Sequence, residues 1–171
     1  MTRIAYTGAR IFDGELWWER SALVVVGGRI EGIIAADSPT DAQRVALGGG
    51  ILAPGFIDLQ VNGGGGALLN LTPDLAAIET ICAAFAQFGT TACLPTLITD
   101  TREKNAAVVA AGEAAAQKGV RGFLGLHLEG PHLSVARKGA HDPTLIRPMD
   151  EADLLALVEA RKRLPNLLTT V

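Results

Sequence analysis

The stretch Ile51-Leu52-Ala53-Pro54-Gly55-Phe56-Ile57-Asp58-Leu59-Gln60-Val61-Asn62 divides the chain into two kinds of sequence. Before it, residues 1 to about 50 read as short strands joined by turns. Leu23–Val26 and Arg29–Ile34 flank Gly27-Gly28, a pair that tolerates positive φ, and this is a hairpin signal. Trp17 and Trp18 precede the hairpin and are expected to pack within a small sheet. From Ile51 onward the pattern alternates strand and helix. The stretch itself is apolar, with polar residues inserted at every second position.

A helix is expected next, with Thr72 as N-cap, Pro73 at its first position and Asp74 in its first turn. Leu75, Ile78, Cys82 and Phe85 recur at spacings of three and four and give it an apolar face, and Gly89 marks its stop. Thr90–Leu97 reads as a second strand. Asp100 with Glu103 opens an Ala-rich helix that closes near Gly119. Gly122–Glu129 reads as a third strand and Gly130–Met149 as a long polar loop. Asp150 caps a third helix with Leu154, Leu157 and Val158 on its buried side, and Asn166–Val171 reads as a fourth strand.

Strands separated by helices imply parallel βαβ units, found in doubly wound sheets and in (β/α)8 barrels. A whole barrel needs about 200 residues or more. The expected organisation is therefore residues 1–52 as N-terminal strands of a small β-sandwich domain, and 53–171 as the first half of a barrel.

Composition excludes several function classes. The 171 residues carry 15 Lys+Arg and 18 Asp+Glu, a net charge of −3, with 49% hydrophobic, 19% charged and 5% aromatic residues. That is too apolar for a disordered chain, and it lacks the basic excess or aromatic platform of a nucleic-acid binder. No apolar run approaches the roughly 18–20 residues of a membrane span, and Met1–Arg10 lacks the apolar core of a secretory signal. No nucleic acid or membrane partner and a cytoplasmic location are the expectations. Cys82 and Cys93 form no CxxC pair and read as reduced core thiols.

Side chains alternate along a strand, so Asp58, Gln60 and Asn62 share one face of the first barrel strand, and His127 and Glu129 share one face of the third. Such groups are costly to bury in an inert core, and they sit near strand C-terminal ends, where parallel α/β folds build their sites. Asn62 runs into Gly63-Gly64-Gly65-Gly66, which allows close backbone approach to an anion or sugar, or simply a flexible turn. Glu129 is the leading candidate ligand for a divalent metal. All three histidines, His127, His132 and His141, fall around it, and Lys138-Gly139-Ala140-His141 adds a cation, a turn and an imidazole.

Ala53-Pro54-Gly55-Phe56-Ile57-Asp58 resembles the first-strand signature of the amidohydrolase superfamily. His127-Leu128-Glu129-Gly130-Pro131 followed by Lys138-Gly139-Ala140-His141 resembles the N-acetylglucosamine-6-phosphate deacetylase family. The resemblance implies a β-sandwich beside a metal-bearing (β/α)8 barrel, hydrolysis of N-acetyl-D-glucosamine 6-phosphate to D-glucosamine 6-phosphate and acetate, and a homodimer. It implies that Glu129 binds the metal and that Ala140 and His141 contact substrate, with Gln60, Asn62 and His127 as inner-face support. Gln60-Val61-Asn62 stands where many superfamily members have His-x-His, which implies one main metal, zinc. The family's catalytic aspartate and two further histidine ligands come later in the barrel, so the resemblance places them beyond Val171. It implies that these residues are an N-terminal part, inactive alone. Rival readings are another amidohydrolase, dihydroorotase-like or deaminase-like, a non-catalytic sugar-phosphate-binding fragment, and a generic doubly wound domain.

Overall fold

A computed structural model describes residues 1–171, and the chain forms two compact units, Met1–Pro54 and Gly55–Val171. The first unit is all β. Its strands are β1 (Arg3–Thr7), β2 (Arg10–Phe12), β3 (Trp17–Trp18), β4 (Ser21–Val26), β5 (Arg29–Ala35), β6 (Gln43–Ala46) and β7 (Ile51–Leu52). One sheet has the order β5-β4-β1-β6 and the other β3-β2-β7. The expected hairpin is β4–β5: Val26 pairs with Arg29, and Gly27 and Gly28 both take positive φ, 56° and 81°. That is the primed turn whose twist matches the flanking strands. Ala5, Ala22, Val24 and Ala42 form the core of the larger sheet. Trp17 and Trp18 do lie on a small sheet, but at 48% and 38% exposure they are not core residues. Phe12 and Arg10 flank the Trp17 ring, and Asp13 accepts the Trp18 indole N–H at 2.7 Å, so the pair is held by its polar and aromatic neighbours.

The stretch 51–62 is not one strand. Ile51–Leu52 pairs with β2, Pro54 falls at the unit boundary, and β8 (Phe56–Val61) begins the second unit. There follow α1 (Leu75–Ala86), β9 (Thr90–Ile98), α2 (Arg102–Lys118), β10 (Leu126–Glu129), α3 (Glu151–Arg163) and β11 (Leu167–Thr170). The sheet order is β11-β10-β9-β8, with every neighbouring pair parallel. Consecutive strands are spatial neighbours throughout, without the order reversal of a doubly wound sheet. Pro95 has no N–H to donate, and the β8–β9 register shifts between Asp58 and Val61, where Val61 meets Pro95.

The helix starts differ from expectation by one or two residues. Asp74, not Thr72, caps α1, accepting the Ala77 N–H at 2.8 Å; aspartate is the stronger cap. Thr101 caps α2, because the Asp100 carboxylate is engaged by Asn70 and Lys104 instead. The third strand is shorter than Gly122–Glu129, since Gly122 and Gly125 both have positive φ. A Cβ on Gly125 would lie 2.1 Å from the Asn166 carbonyl oxygen, so only glycine permits that approach.

α1 and α2 cover the sheet with Ile78, Ile81, Val108 and Ala115 over Val61, Leu97, Leu126 and Leu128. Asp150 caps α3 as expected, in a capping box with Asp153. The apolar side anticipated for α3 is not the buried one. Leu154 and Val158 are exposed, while Asp153 and Ala160 are buried and Leu157 is partly so. Asp153 faces inward because two arginines meet it there, and that rotation turns Leu154 and Val158 outward. No helix is long and apolar enough to cross a membrane.

Candidate metal and substrate site

Glu129 is the last residue of β10, and its side chain is turned toward β8 and the following loop, away from the helices. One oxygen, Oε2, accepts the Gln60 amide Nε2–H at 2.9 Å, across a sequence separation of 69 residues. The other, Oε1, lies 3.5 Å from His141 Nε2. Gln60 thus takes one oxygen and leaves the second facing an imidazole. Both side chains of the Glu129–His141 pair are largely shielded, at 20% and 11% exposure, so the pair sits in a medium that strengthens its electrostatics.

His141 is fixed from its other nitrogen. Nδ1 is 2.7 Å from Thr99 Oγ1, and the same hydroxyl lies 3.4 Å from the Glu129 carbonyl oxygen. Thr99 stands one residue beyond β9 and is buried. The sequence reading missed it. Its signal was positional: a hydroxyl just past the C-terminal end of β9, one residue beyond Ile98, the register partner of Glu129.

His127 shares the Glu129 face of β10 and lies deeper. It is 1% exposed, with Nδ1 3.3 Å from Thr96 Oγ1 and Nε2 2.9 Å from Thr170 Oγ1. Burial, partly offset by the Glu129 charge, pushes its pKa below the usual imidazole value. A neutral ring hydrogen-bonded to both neighbouring strands stitches β9, β10 and β11 beneath Glu129.

Other singled-out residues are dispersed. Asn62 lies one position past β8 and is exposed, and Ala140 is exposed beside His141 in the turn. Lys138 Nζ is directed to the Gly139 and His141 carbonyls at 3.3 and 3.4 Å, tightening that turn. His132 is held elsewhere, with Nδ1 3.1 Å from the Arg147 carbonyl. Within the glycine run, a Cβ on Gly64 would meet the Phe85 ring of α1 at 2.8 Å, whereas one on Gly66 would meet nothing within 4 Å. A cavity of about 310 Å³ lies between α2 and α3 over Leu128, on the opposite face of β10 from Glu129.

The loop that carries His141 is anchored by Arg147. Its guanidinium and that of Arg102 both reach the Asp153 carboxylate, with Arg147 Nη2 at 2.8 Å and Arg102 Nε and Nη2 at 3.0 Å. Burial opposes the ionisation of Asp153. The two arginines outweigh it and hold the carboxyl well below the usual carboxylate range.

A carboxylate oxygen is donor chemistry that zinc takes, and the Gln60 amide engages Oε2 of Glu129 and so leaves Oε1 to face a cation. No cluster of three or more His, Cys, Asp or Glu side chains is present, so these residues fit part of a zinc site, against the three protein ligands of catalytic sites.

No protein-family model matches the chain. It is 42% identical over 151 residues to an N-acetylgalactosamine-6-phosphate deacetylase of Shewanella sp. (strain ANA-3), covering 86% of this chain and 38% of the relative. It is 36% identical over 163 residues to the human N-acetylglucosamine-6-phosphate deacetylase, covering 90% and 39%. The N-acetylglucosamine-6-phosphate deacetylase structure from Pasteurella multocida superposes with a TM-score of 0.89 at 32% identity, over 96% of this chain and 44% of that one. The chain therefore spans less than half the length of these relatives.

Proposed function

We propose, from the premise that the chain belongs to the N-acetylglucosamine-6-phosphate deacetylase family, that it supplies the first four strands of a (β/α)8 barrel that removes acetate from an N-acetylated amino-sugar 6-phosphate. The single observation that carries this is the convergence of Gln60, Glu129 and His141, from three segments, on one point at the strand C-terminal ends. Four parallel strands in unbroken sequential order suit a barrel wall, and the strands of Met1–Pro54 suit part of a β-sandwich.

In this reading Glu129 would hold one zinc ion, with Gln60 fixing the carboxylate's orientation through Oε2. A bound zinc polarises an amide carbonyl and makes hydroxide available near neutral pH. His141 presents Nε2 beside that carboxylate, where it orients the substrate, and Ala140 adds the adjoining backbone. His127 stays neutral and keeps the three strands in register. The general base that takes the water's proton and returns it to the departing amine is supplied by none of these residues. The whole protein is proposed to be cytoplasmic and homodimeric.

N-acetyl-D-glucosamine 6-phosphate is the proposed substrate. The 4-epimer is a second reading, favoured by the 42% identity to the Shewanella galactosamine enzyme. The test is a chimera in which these 171 residues replace the matched portion of the Shewanella relative. Acetate release from both sugar phosphates is expected, with a loss of about a hundredfold or more on Glu129→Gln. A folded, zinc-loaded chimera that releases no acetate, or one indifferent to Glu129→Gln, would refute the proposal.

A further inference from the structure

We propose that the cleft between α2 and α3 is a second binding site, for a small neutral ring compound bearing one hydroxyl, which His132 Nε2 accepts. The cleft holds about 310 Å³ and lies behind β10, on the face opposite Glu129. That is about twice the roughly 150 Å³ that suffices for benzene in an apolar cavity. Buried Val109 and Leu128, with Leu157, make its floor, while Ala110 and Ala156, exposed on the facing helices, leave its mouth open. The charges at its two ends are already paired: Arg102 with Asp153 at one, Arg163 with Glu113 at the other. An apolar floor between satisfied ion pairs suits a neutral occupant.

His132 supplies the polar anchor, and its side chain is only 7% exposed. Its Nδ1 lies 3.1 Å from the Arg147 carbonyl oxygen. A carbonyl oxygen can only accept, so Nδ1 carries a proton and the neutral ring keeps its lone pair at Nε2. No donor in the chain reaches that lone pair. The nearest carboxylate atom, Asp153 Oδ2, is 3.9 Å away, beyond hydrogen-bond range. That oxygen already accepts from Arg102, from Arg147 and from the Asp150 N–H, so it does not call for a charged imidazole. His132 and Asp153 both line the cleft, and Nε2 lies on the side of the ring toward Asp153. A shielded acceptor without a donor is costly, and a ligand O–H removes that cost while its ring covers the floor. The site lies apart from the deacetylase reading and does not depend on it.

The probe is phenol, with toluene as the ring that lacks a hydroxyl, each titrated into the intact chain at pH 8. Two-dimensional ¹⁵N–¹H spectroscopy of the imidazoles should show His132 as the neutral Nδ1–H form. Phenol should shift its Nε2 resonance saturably and leave His127 and His141 in place. His132→Asn keeps a donor for the Arg147 carbonyl and removes Nε2. Followed by backbone amide shifts in α2 and α3, it should bind phenol about tenfold more weakly and toluene within about twofold of wild type. Ala156→Leu fills the exposed mouth and should abolish both titrations with circular dichroism unchanged. A wild-type ring protonated at Nε2, or equal weakening of phenol and toluene in His132→Asn, would overturn the proposal. So would the absence of any phenol shift, which would leave water as the cleft's occupant.

Discussion

Asp153 is where the loop bearing His141 is tied to the helices, and Asp153→Asn should loosen it measurably. The carboxylate is 7% exposed and accepts from Arg102 at two nitrogens, from Arg147 at two, and from the Asp150 N–H. Removing one partner of a buried ion pair costs about 3–5 kcal/mol. Here the cost is smaller, because the Arg102 side chain is 50% exposed and Arg147 28%, so water takes up part of what they lose. The asparagine also keeps one accepting oxygen. We expect a loss of about 2–3 kcal/mol. With a urea dependence of about 1–3 kcal/mol per molar, the midpoint falls by about 1–2 M.

All three helices lie in Gly55–Val171, so far-UV circular dichroism follows that unit, while Trp17 and Trp18 report Met1–Pro54 separately. The helical midpoint should move and the tryptophan midpoint should not. The folded carboxyl sits below its unfolded value of about 3.9, so its stabilisation is complete above that pH and is lost as pH falls toward the folded pKa. Asp153→Asn should flatten that acid slope. A change under about 1 kcal/mol, or an unaltered acid slope, would refute the reasoning, because the arginines would then be solvated equally well without the acid.

Burial lowers the His127 pKa, so its contribution is complete above the unfolded value of about 6.5 and is lost as pH falls through the folded value; its ring resonances should titrate with a midpoint below that of a free imidazole, and a midpoint at or above about 6.5 would contradict the burial argument. Gly125→Ala should cost about 2–4 kcal/mol, and Gly119→Ala, at a helix end with open space around it, only about 1 kcal/mol; equal losses in urea titrations would contradict the close approach to Asn166. Cys82 and Cys93, 3.7 Å apart, should resist alkylation at pH 8 until the chain is unfolded, because both thiols are buried in the core; rapid native labelling would contradict it.

The strand and helix order of the second unit was legible in the sequence because periodicity and capping are local. A face repeating at three and four residues, Asp150 before α3 and Gly119 after α2 each act within one turn of chain. The glycine-turn hairpin was legible for the same reason. The buried side of α3 was not. The spacing of Leu154, Leu157 and Val158 promised an apolar face, and two arginines from elsewhere, Arg102 and Arg147, rotated Asp153 inward instead. Nor could the sequence separate Gln60 from Asn62. Both alternate onto the same side, yet only the parallel packing of β8, β9 and β10 decides which amide reaches the carboxylate 69 residues away. Thr99 looked like any threonine after a strand until Gly130 and His141 closed on its hydroxyl. Sequence fixes what each segment prefers over about one turn or one pleat; the meeting of Gln60, Thr99, Glu129 and His141 depends on register between strands, which no local preference contains.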